Sequence, residues 1–189
     1  MTQQGKNAID LVLAESLIEL SAKKPIDKIT IKEITDKAGV IRPTFYNHFQ
    51  DKYELIEWII KSELLEPIKP LLNAGMIFEA IVLMLNNISA NSVFYKKALK
   101  LEGAVTFNQI AMKCVYEMFM NIISEKSTGK KSKYHWLTPE VIAKYYAQSL
   151  CVIIDGWIAQ GMDDIEPKEM AEADMYQITR SMDDILSEL

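Results

Sequence analysis

Apolar residues recur every three or four positions along nearly the whole chain, whereas no stretch of convincing length alternates apolar with polar residues. This spacing predicts amphipathic helices, and the missing alternation argues against strands. The first stripe predicts a helix from about residue 7 to residue 23, and its apolar positions are Ile9, Leu13, Leu17 and Leu20. The chain is therefore predicted to be all-α.

Residues 30–39 predict a short helix with both ends marked. Thr30 and Glu33 have the spacing of a capping box, in which each side chain accepts a hydrogen bond from the other residue's free backbone N–H. Gly39 suits the C-terminal end because glycine adopts a positive φ at little cost. The turn at residues 39–41 then leads directly into another short helix.

That second helix is predicted to begin near Pro43, since proline fits the first turn of a helix, where its missing N–H is not needed. Phe45 and Phe49 lie four residues apart and can anchor its inner face. The side chains left to face outward as hydrogen-bond donors are those of Arg42, Thr44, Tyr46 and His48. Asp51 and Glu54 repeat the capping pattern for a further helix. This arrangement indicates a helix-turn-helix unit.

These residues resemble the DNA-binding motif of the TetR family of bacterial transcriptional regulators. The matching positions are Thr30, Ile34, Ala38-Gly39-Val40, Thr44-Phe45-Tyr46, His48-Phe49, Lys52 and Leu55. The chain departs from the family pattern at Ile41, where a small polar cap residue is usual, and at Thr35, where Ala is common. The resemblance implies a three-helix DNA-binding domain over residues 1–52, then a helical effector-binding and dimerisation domain over residues 53–189, with about nine helices in all.

The resemblance also implies a set of DNA contacts. Its members are Thr30, Lys32, Arg42, Pro43, Thr44, Tyr46, His48 and Lys52. Lys32 and Arg42 occupy positions that touch base edges, and an Arg side chain can bridge guanine O6 and N7 with two hydrogen bonds. Pro43 and Thr44 occupy positions that contact thymine methyl groups or phosphate.

The phosphate-binding positions implied by the resemblance belong to Tyr46, His48 and Lys52. Their donors suit phosphate oxygens, which fix the register of a protein on the duplex without reading its sequence. Without the family pattern, Tyr46 and His48 would as readily be ordinary surface or core residues.

The net charge of −5 is unusual for a protein that binds nucleic acid. Residues 1–52 contain eight Lys or Arg and seven Asp or Glu, a net charge of +1, so residues 53–189 carry −6. The acidity therefore lies outside the helix-turn-helix unit. So weak a positive field predicts modest non-specific affinity, and a specific site has to come from base contacts and dimer geometry.

The two cysteines, Cys114 and Cys151, stand in apolar helical patterns, which favours buried thiols over metal ligands. Their spacing from His48 and His135 matches no metal-ligand motif, so neither a metal nor a cofactor is predicted. There is no signal peptide and no run of about eighteen apolar residues. The sequence predicts a cytoplasmic protein without a membrane partner.

Proline and capping residues mark the helices of the second domain. The helix that begins near Asp51 is expected to stop before Pro67. Thr138-Pro139-Glu140 combines a cap, a first-turn Pro and a first-turn acid, which predicts a helix to about Gln160. Pro167 similarly opens a last helix to about Leu186. The other predicted helices span residues 76–89, 92–101 and 104–125, and residues 127–135, rich in Lys, are predicted to form a solvated loop rather than a second DNA contact.

The resemblance implies that the last two helices form a four-helix dimer interface with a second copy of the chain. The sequence itself supports this loosely, through a narrow seam of Val141, Tyr145, Ser149, Val152 and Gly156. These residues could equally belong to an ordinary core.

Methionine and aromatic residues concentrate in the middle of the chain, a mixture that suits an adaptable apolar effector pocket. The predicted pocket residues are Met84, Phe94, Phe107, Met112, Tyr116, Phe119, Tyr146 and Trp157. For any single one of them a plain helical core is the favoured interpretation, and the pocket is predicted for the group. The sequence shows no buried cationic cluster that would demand a strongly anionic effector.

The leading hypothesis is a dimeric repressor that a small-molecule effector releases from a palindromic operator in double-stranded DNA. A DNA-binding co-regulator that takes a protein partner at its C-terminal domain is the alternative. A closed apolar pocket would favour the small molecule, and a filled core with an exposed apolar patch would favour the protein. A third hypothesis, an all-α enzyme, has little support, since no Ser/His/Asp or Cys/His constellation, no phosphate-binding Gly loop and no paired Glu-x-x-His motif occurs.

Overall fold

The computed structural model describes residues 3–103, 105–126 and 132–188, and these residues form helices joined by short connections without any strand. The helices are α1 (Gln3–Lys23), α2 (Ile31–Ala38), α3 (Arg42–Tyr46), α4 (Lys52–Ile59), α5 (Glu66–Asn73), α6 (Ile77–Ala90), α7 (Ser92–Ala98), α8 (Phe107–Lys126), α9 (Pro139–Ala159), α10 (Pro167–Thr179) and α11 (Met182–Leu186). The all-α prediction is confirmed. A single 3-10 turn, Ile26–Lys28, lies between α1 and α2.

Helices α4 and α5 form one continuous rod, residues 52–73, because a π-helical segment at Ile60–Leu65 joins them. The prediction that this helix stops before Pro67 is wrong. Within the π turn, the backbone N–H of Glu66 donates to the carbonyl of Lys61. Pro67 cannot supply the N–H that an α-helix would direct at the Glu63 carbonyl. The side-chain amide of Asn87 on α6 donates to that carbonyl instead, at 2.9 Å.

The hydrophobic core runs through the whole bundle. Leu13 and Leu17 of the predicted first stripe are fully buried, where α1 packs against α2, α4 and α7. Farther along the chain, α8 packs along α9, while α6 packs against both α5 and α10. The rod therefore connects the helix-turn-helix unit to the helices of the second half. The domain boundary between residues 52 and 53 stays a prediction, and it falls at the start of this rod.

The predicted last helix ends earlier than expected. Helix α10 stops at Thr179, and Arg180 is extended with φ −113° and ψ 152°. Ser181 then begins α11 through a capping box, since its hydroxyl accepts from the backbone N–H of Asp184 while that carboxylate accepts from the Ser181 N–H. The capping box stabilises the start of a new helix at Ser181, and this is favoured over the continuation of α10 through Arg180. With the rod counted as one helix, the described residues form ten helices including α11, against about nine predicted for the chain.

Residues 127–131 of the predicted loop lie outside the described residues, as does residue 104, the predicted start of α8. The described remainder of the loop, residues 132–135, is exposed. Across the described ranges, no single helix is long and apolar enough to cross a bilayer. Helices α6 and α7 would pass that test only as a pair, bent by 87°.

Candidate DNA-binding surface and helical cavity

Helix α2 begins with the predicted capping box. The Thr30 hydroxyl accepts from the Glu33 N–H at 3.3 Å, and Glu33 Oε2 accepts from the Thr30 N–H at 2.9 Å. Lys24 adds a bond to Glu33 Oε1 at 2.5 Å. The bonds from Lys24 and Thr30 lower the pKa of Glu33 to about 2. Both polar functions of the Thr30 side chain serve this cap, because its hydroxyl also donates to Glu33.

The turn between α2 and α3 depends on one glycine. Gly39 has φ +68°, the left-handed conformation that side chains other than glycine adopt at a cost. The backbone N–H of Val40 closes the helix end on the Thr35 carbonyl at 3.0 Å. Ile41 is then extended and exposed, and its apolar side chain makes no cap hydrogen bond. The departure from a polar cap residue thus leaves the α3 start without a side-chain cap.

Helix α3 is held by its aromatic inner face. Phe45 and Phe49 are buried with their ring centroids 5.9 Å apart, which confirms them as the predicted anchors. Arg42 and Pro43 lie exposed at the first turn, and Tyr46 follows with 51% of its surface accessible. These three residues form the outer face of α3. Thr44, which follows Pro43, is half-buried. Asn47 and Gln50 are exposed just after the end of α3, and neither was among the predicted DNA contacts.

His48 does not face outward, and that prediction is wrong. Only 2% of its side chain is exposed, and its Nδ1 lies 2.6 Å from the Asp10 carboxylate on α1. A carboxylate only accepts, so Nδ1 is assigned the proton and donates it. Its imidazole therefore ties the end of α3 to α1 rather than presenting a donor to phosphate.

Lys52 is likewise engaged within the protein. Its ammonium group donates to the carbonyl oxygens of Ile26, Asp27 and Ile29, at 2.9, 2.8 and 3.1 Å. An ammonium group has three N–H donors, so the prediction of a free phosphate donor is wrong in this structure. Burial is the largest influence on this amine and lowers the pKa of Lys52. Lys32, in contrast, is exposed on α2 and forms only a surface pair with Asp36.

A cavity of about 430 Å³ lies among α5, α6, α8, α9 and α10, and it is called here the main cavity. Three of the predicted pocket residues line it, namely Met84, Phe119 and Tyr146. The rest of its lining is apolar apart from Ser149, Asp174 and Thr179. Its size and lining fit a small, largely apolar molecule.

The other predicted pocket residues lie elsewhere. Met112 and Tyr116 line an open groove between α8 and α9, and Phe107 lines a separate void of about 40 Å³. Phe94 is core, packed edge-on against Tyr95. Trp157 is core too, and its indole N–H donates to the Ile165 carbonyl at 3.0 Å. The eight predicted residues therefore do not line a single pocket: three line the main cavity, and the other five lie in the groove, the small void or the core.

Tyr95 lines the void of about 40 Å³, and its buried hydroxyl has no hydrogen-bond partner among the described residues. Burial raises the pKa of this tyrosine. We expect Tyr95→Phe to change the free energy of unfolding by less than about 1 kcal/mol, because the hydroxyl makes no protein contact to lose. Urea denaturation at fixed protein concentration measures this.

The control is Trp157→Phe, which removes an N–H with a partner as well as ring volume, and it should cost more. A loss for Tyr95→Phe above about 1.5 kcal/mol would show instead that an ordered water completes the hydroxyl's hydrogen bonds.

Ion pairs fasten the rod to α8. Lys61 Nζ lies 2.7 Å from Glu57 and 2.8 Å from Glu117, and Lys113 Nζ lies 2.8 Å from Glu57. Burial alone would raise the pKa of Glu57, but the bonds from Lys113 and Lys61 lower it below its ordinary value. The middle of the rod therefore has a polar connection to the second half of the chain.

Within the described ranges, no group of three His, Cys, Asp or Glu residues could hold a metal ion. Cys114 is buried, as predicted, and Cys151 is half-buried. Both are free, and burial raises the pKa of each thiol to about 12. Such thiols are almost wholly protonated near neutral pH, so neither is a ready nucleophile.

Comparison with known proteins agrees with the helix-turn-helix unit and with the helical second half. Residues 15–59 match the family model for bacterial regulatory proteins of the tetR family, and residues 76–180 match a transcriptional regulator C-terminal region. A curated relative is the HTH-type dhaKLM operon transcriptional activator DhaS of Lactococcus lactis, 26% identical over 152 residues, which cover 79% of each chain.

Two solved structures share the fold. The dihydroxyacetone kinase operon activator DhaS has a TM-score of 0.64 at 20% identity, covering 90% of this chain and 94% of its own. NalD of Pseudomonas aeruginosa, the secondary repressor of the MexAB-OprM multidrug efflux pump, has a TM-score of 0.60 at 12% identity, covering 93% and 96%. Since both family models match in chain order, this chain belongs to the TetR family and is a DNA-binding transcriptional regulator.

Proposed function

We propose that this regulator binds a palindromic operator as a homodimer and that a small molecule in the main cavity releases it. The observation that carries the DNA contact is the outer face of α3, where Arg42, Pro43 and Tyr46 lie exposed around a buried Phe45. An α-helix fits the major groove, and its exposed donors reach base edges and phosphates. A cytoplasmic location follows from the same proposal, since the operator lies there.

Within this proposal, Arg42 reads a base and Tyr46 binds phosphate. Pro43 and Thr44 contact thymine methyl groups or phosphate, and Lys32 reaches the duplex from α2, where its pair with Asp36 is weak and exposed. Thr30 contributes through the cap that fixes the start of α2. His48 and Lys52 act indirectly, by holding α3 and the rod in place.

Exposed apolar side chains support the dimer. On α9, 66% of Tyr145 and 71% of Val152 is accessible, and both belong to the predicted seam. On α11, Met182 and Leu186 are also exposed. A second copy that covers these side chains buries apolar surface, and its two-fold symmetry matches a palindromic operator. Half-sites one helical turn apart require recognition helices about 34 to 36 Å apart.

The rod supplies a route from effector to DNA. Ile68 and Leu72 of α5 line the main cavity, and the rod begins at the Asp51 cap immediately after the helix-turn-helix unit. At about 1.5 Å per residue, residues 52–73 span roughly 30 Å. A small tilt at the cavity end therefore moves the DNA-binding end by several ångströms. Release requires that the effector bind the tilted state more tightly than the DNA-bound state.

The similar proteins differ in the sign of regulation, since DhaS is an activator and NalD a repressor. We propose repression here, because a regulator bound to an operator that overlaps the promoter represses transcription. The second candidate is a regulator that responds to a protein partner. It is supported by the exposed side chains of Tyr134, Trp136 and Leu137 ahead of α9. The main cavity favours the small molecule.

The test is in vitro selection of purified protein from random duplex DNA. Wild type is expected to enrich a palindrome, whereas Arg42→Ala is expected to lose about 1 to 3 kcal/mol of affinity and to relax base preference at one position. Adding Tyr46→Ala should weaken binding to all sequences, as loss of a phosphate contact does.

The matched control is Lys168→Ala, which removes one exposed positive charge from α10, away from α3. It should enrich the same palindrome as wild type. An Arg42→Ala variant with unchanged selectivity would show that Arg42 reads no base. If wild type enriches no sequence, the protein does not bind an operator by itself. Regulation through a protein partner then becomes the leading candidate.

A further inference from the structure

Asp174 is the feature of the main cavity that apolar packing does not account for. It lies on α10, where only 4% of the residue is exposed, and it lines the cavity. Its Oδ1 has no hydrogen-bond partner among the described residues. Burying an unpaired carboxyl group is costly, so a position that retains one requires an explanation.

The surroundings of Asp174 offer it no positive charge. Among the described residues that line the main cavity there is no Lys, Arg or His, and the other polar side chains are Ser149, Tyr146 and Thr179. On α10 itself, Met175, Ile178 and Thr179 also line the cavity, and none of them carries a charge. Burial accordingly raises the pKa of Asp174 above its ordinary value. Within the part of the chain that the structure describes, Asp174 is thus an acceptor without a donor.

We propose that Asp174 selects a lipophilic amine as the effector, a small apolar molecule with one ammonium group that pairs with this carboxylate. The inference rests on the proposed function in that the main cavity is the effector site. An ammonium ligand supplies both the missing donor and the missing charge, and a charge-assisted bond is about twice as strong as a neutral one. An anionic ligand would instead meet a carboxylate with no cation nearby.

The remaining lining fits the apolar part of such a molecule. The cavity volume of about 430 Å³ lies within the usual range for ligand sites. Phe119 and Met84 offer aromatic and flexible surface, and Ile68 and Leu72 belong to the rod. Because Asp174 of α10 and these two rod residues line the same cavity, a ligand that fills it would contact both helices.

The experiment measures calorimetric binding of three ligands of one shape: 4-phenylbutylamine, 4-phenylbutanol and 4-phenylbutyrate. Wild type is expected to bind the amine at least about tenfold more tightly than the alcohol, and the acid most weakly. Asp174→Asn, which keeps the side-chain shape, should bind the amine and the alcohol equally, with alcohol affinity within about threefold of wild type. The matched control Thr179→Val alters another polar lining residue and should keep the amine preference.

The outcomes separate the two proposals. If wild type binds the alcohol but shows no amine preference, the cavity remains a binding site and the role of Asp174 is overturned. If Asp174→Asn retains the preference, another group selects the amine. If wild type binds none of the three ligands, the proposed regulation by a small molecule in the main cavity fails together with this inference. The wild-type comparison of amine with alcohol stands even if the variant does not fold.

Discussion

Phe45→Ala is expected to destabilise the protein by about 3 to 5 kcal/mol, the usual cost of removing a buried phenyl ring. Phe45 is fully buried, and its ring packs against Tyr46 and Phe49 at centroid distances of 5.7 and 5.9 Å. Helix α3 spans five residues, too short to persist without this packing. Loss of the ring should therefore abolish DNA binding by disordering α3. Urea denaturation followed by circular dichroism, at fixed protein concentration, measures the cost.

The control is Tyr46→Ala, the same kind of truncation one residue away on the exposed side. It should cost about 1 kcal/mol, the usual worth of one edge-on aromatic contact, and so far less than Phe45→Ala, while it lowers affinity for DNA. The pair separates the inner from the outer face of α3. A cost below about 1 kcal/mol for Phe45→Ala would mean that α3 is not anchored on this ring.

The helix-turn-helix unit could be predicted because its determinants are local. Thr30 and Glu33 lie three residues apart, Phe45 and Phe49 lie four apart, and the positive φ at Gly39 is a property of one residue. Interactions over such short separations are fixed once the helix period is known. The position of α3 and the burial of its inner face therefore follow from the sequence.

The partners of His48 and Lys52 could not be predicted in this way. Asp10 is 38 residues from His48, and the carbonyl oxygens that bind Lys52 lie 23 to 26 residues before it. The packing of α1 against the unit brings Asp10 to His48, and the 3-10 turn after α1 brings its carbonyl oxygens to Lys52. A family pattern assigns such side chains to phosphate by position, but it does not show what else lies within reach.

The main cavity shows a different limit of sequence reasoning. Phe94 and Phe119 have the same chemistry, yet the first is packed in the core and the second lines the cavity. The difference depends on how five helices meet, which no spacing encodes. Asp174 did leave a signal, since it interrupts the apolar side of α10 between Ala171 and Met175. A polar residue on an apolar helix face was the available indication of a polar site.

Asp10→Ala is expected to cost about 3 kcal/mol, the value at which the ranges for a buried unsatisfied donor and for a broken buried ion pair meet. The variant would leave the imidazole of His48 buried with its Nδ1 proton facing no acceptor. The end of α3 would then lose its tie to α1. Operator affinity should fall with stability, and thermal denaturation together with DNA titration measures both.

The matched control is Asp36→Ala, which removes the same charge from the same domain but breaks only the exposed pair with Lys32. It should cost less than about 1 kcal/mol, so it is the control for stability. Its DNA affinity is a separate matter, because the same substitution frees Lys32, which the proposal places at the duplex. Only Asp10→Ala should lose about 3 kcal/mol of stability. If the two variants are equally stable, Asp10 does not hold His48, and the imidazole is then free to bind phosphate, as the sequence predicts.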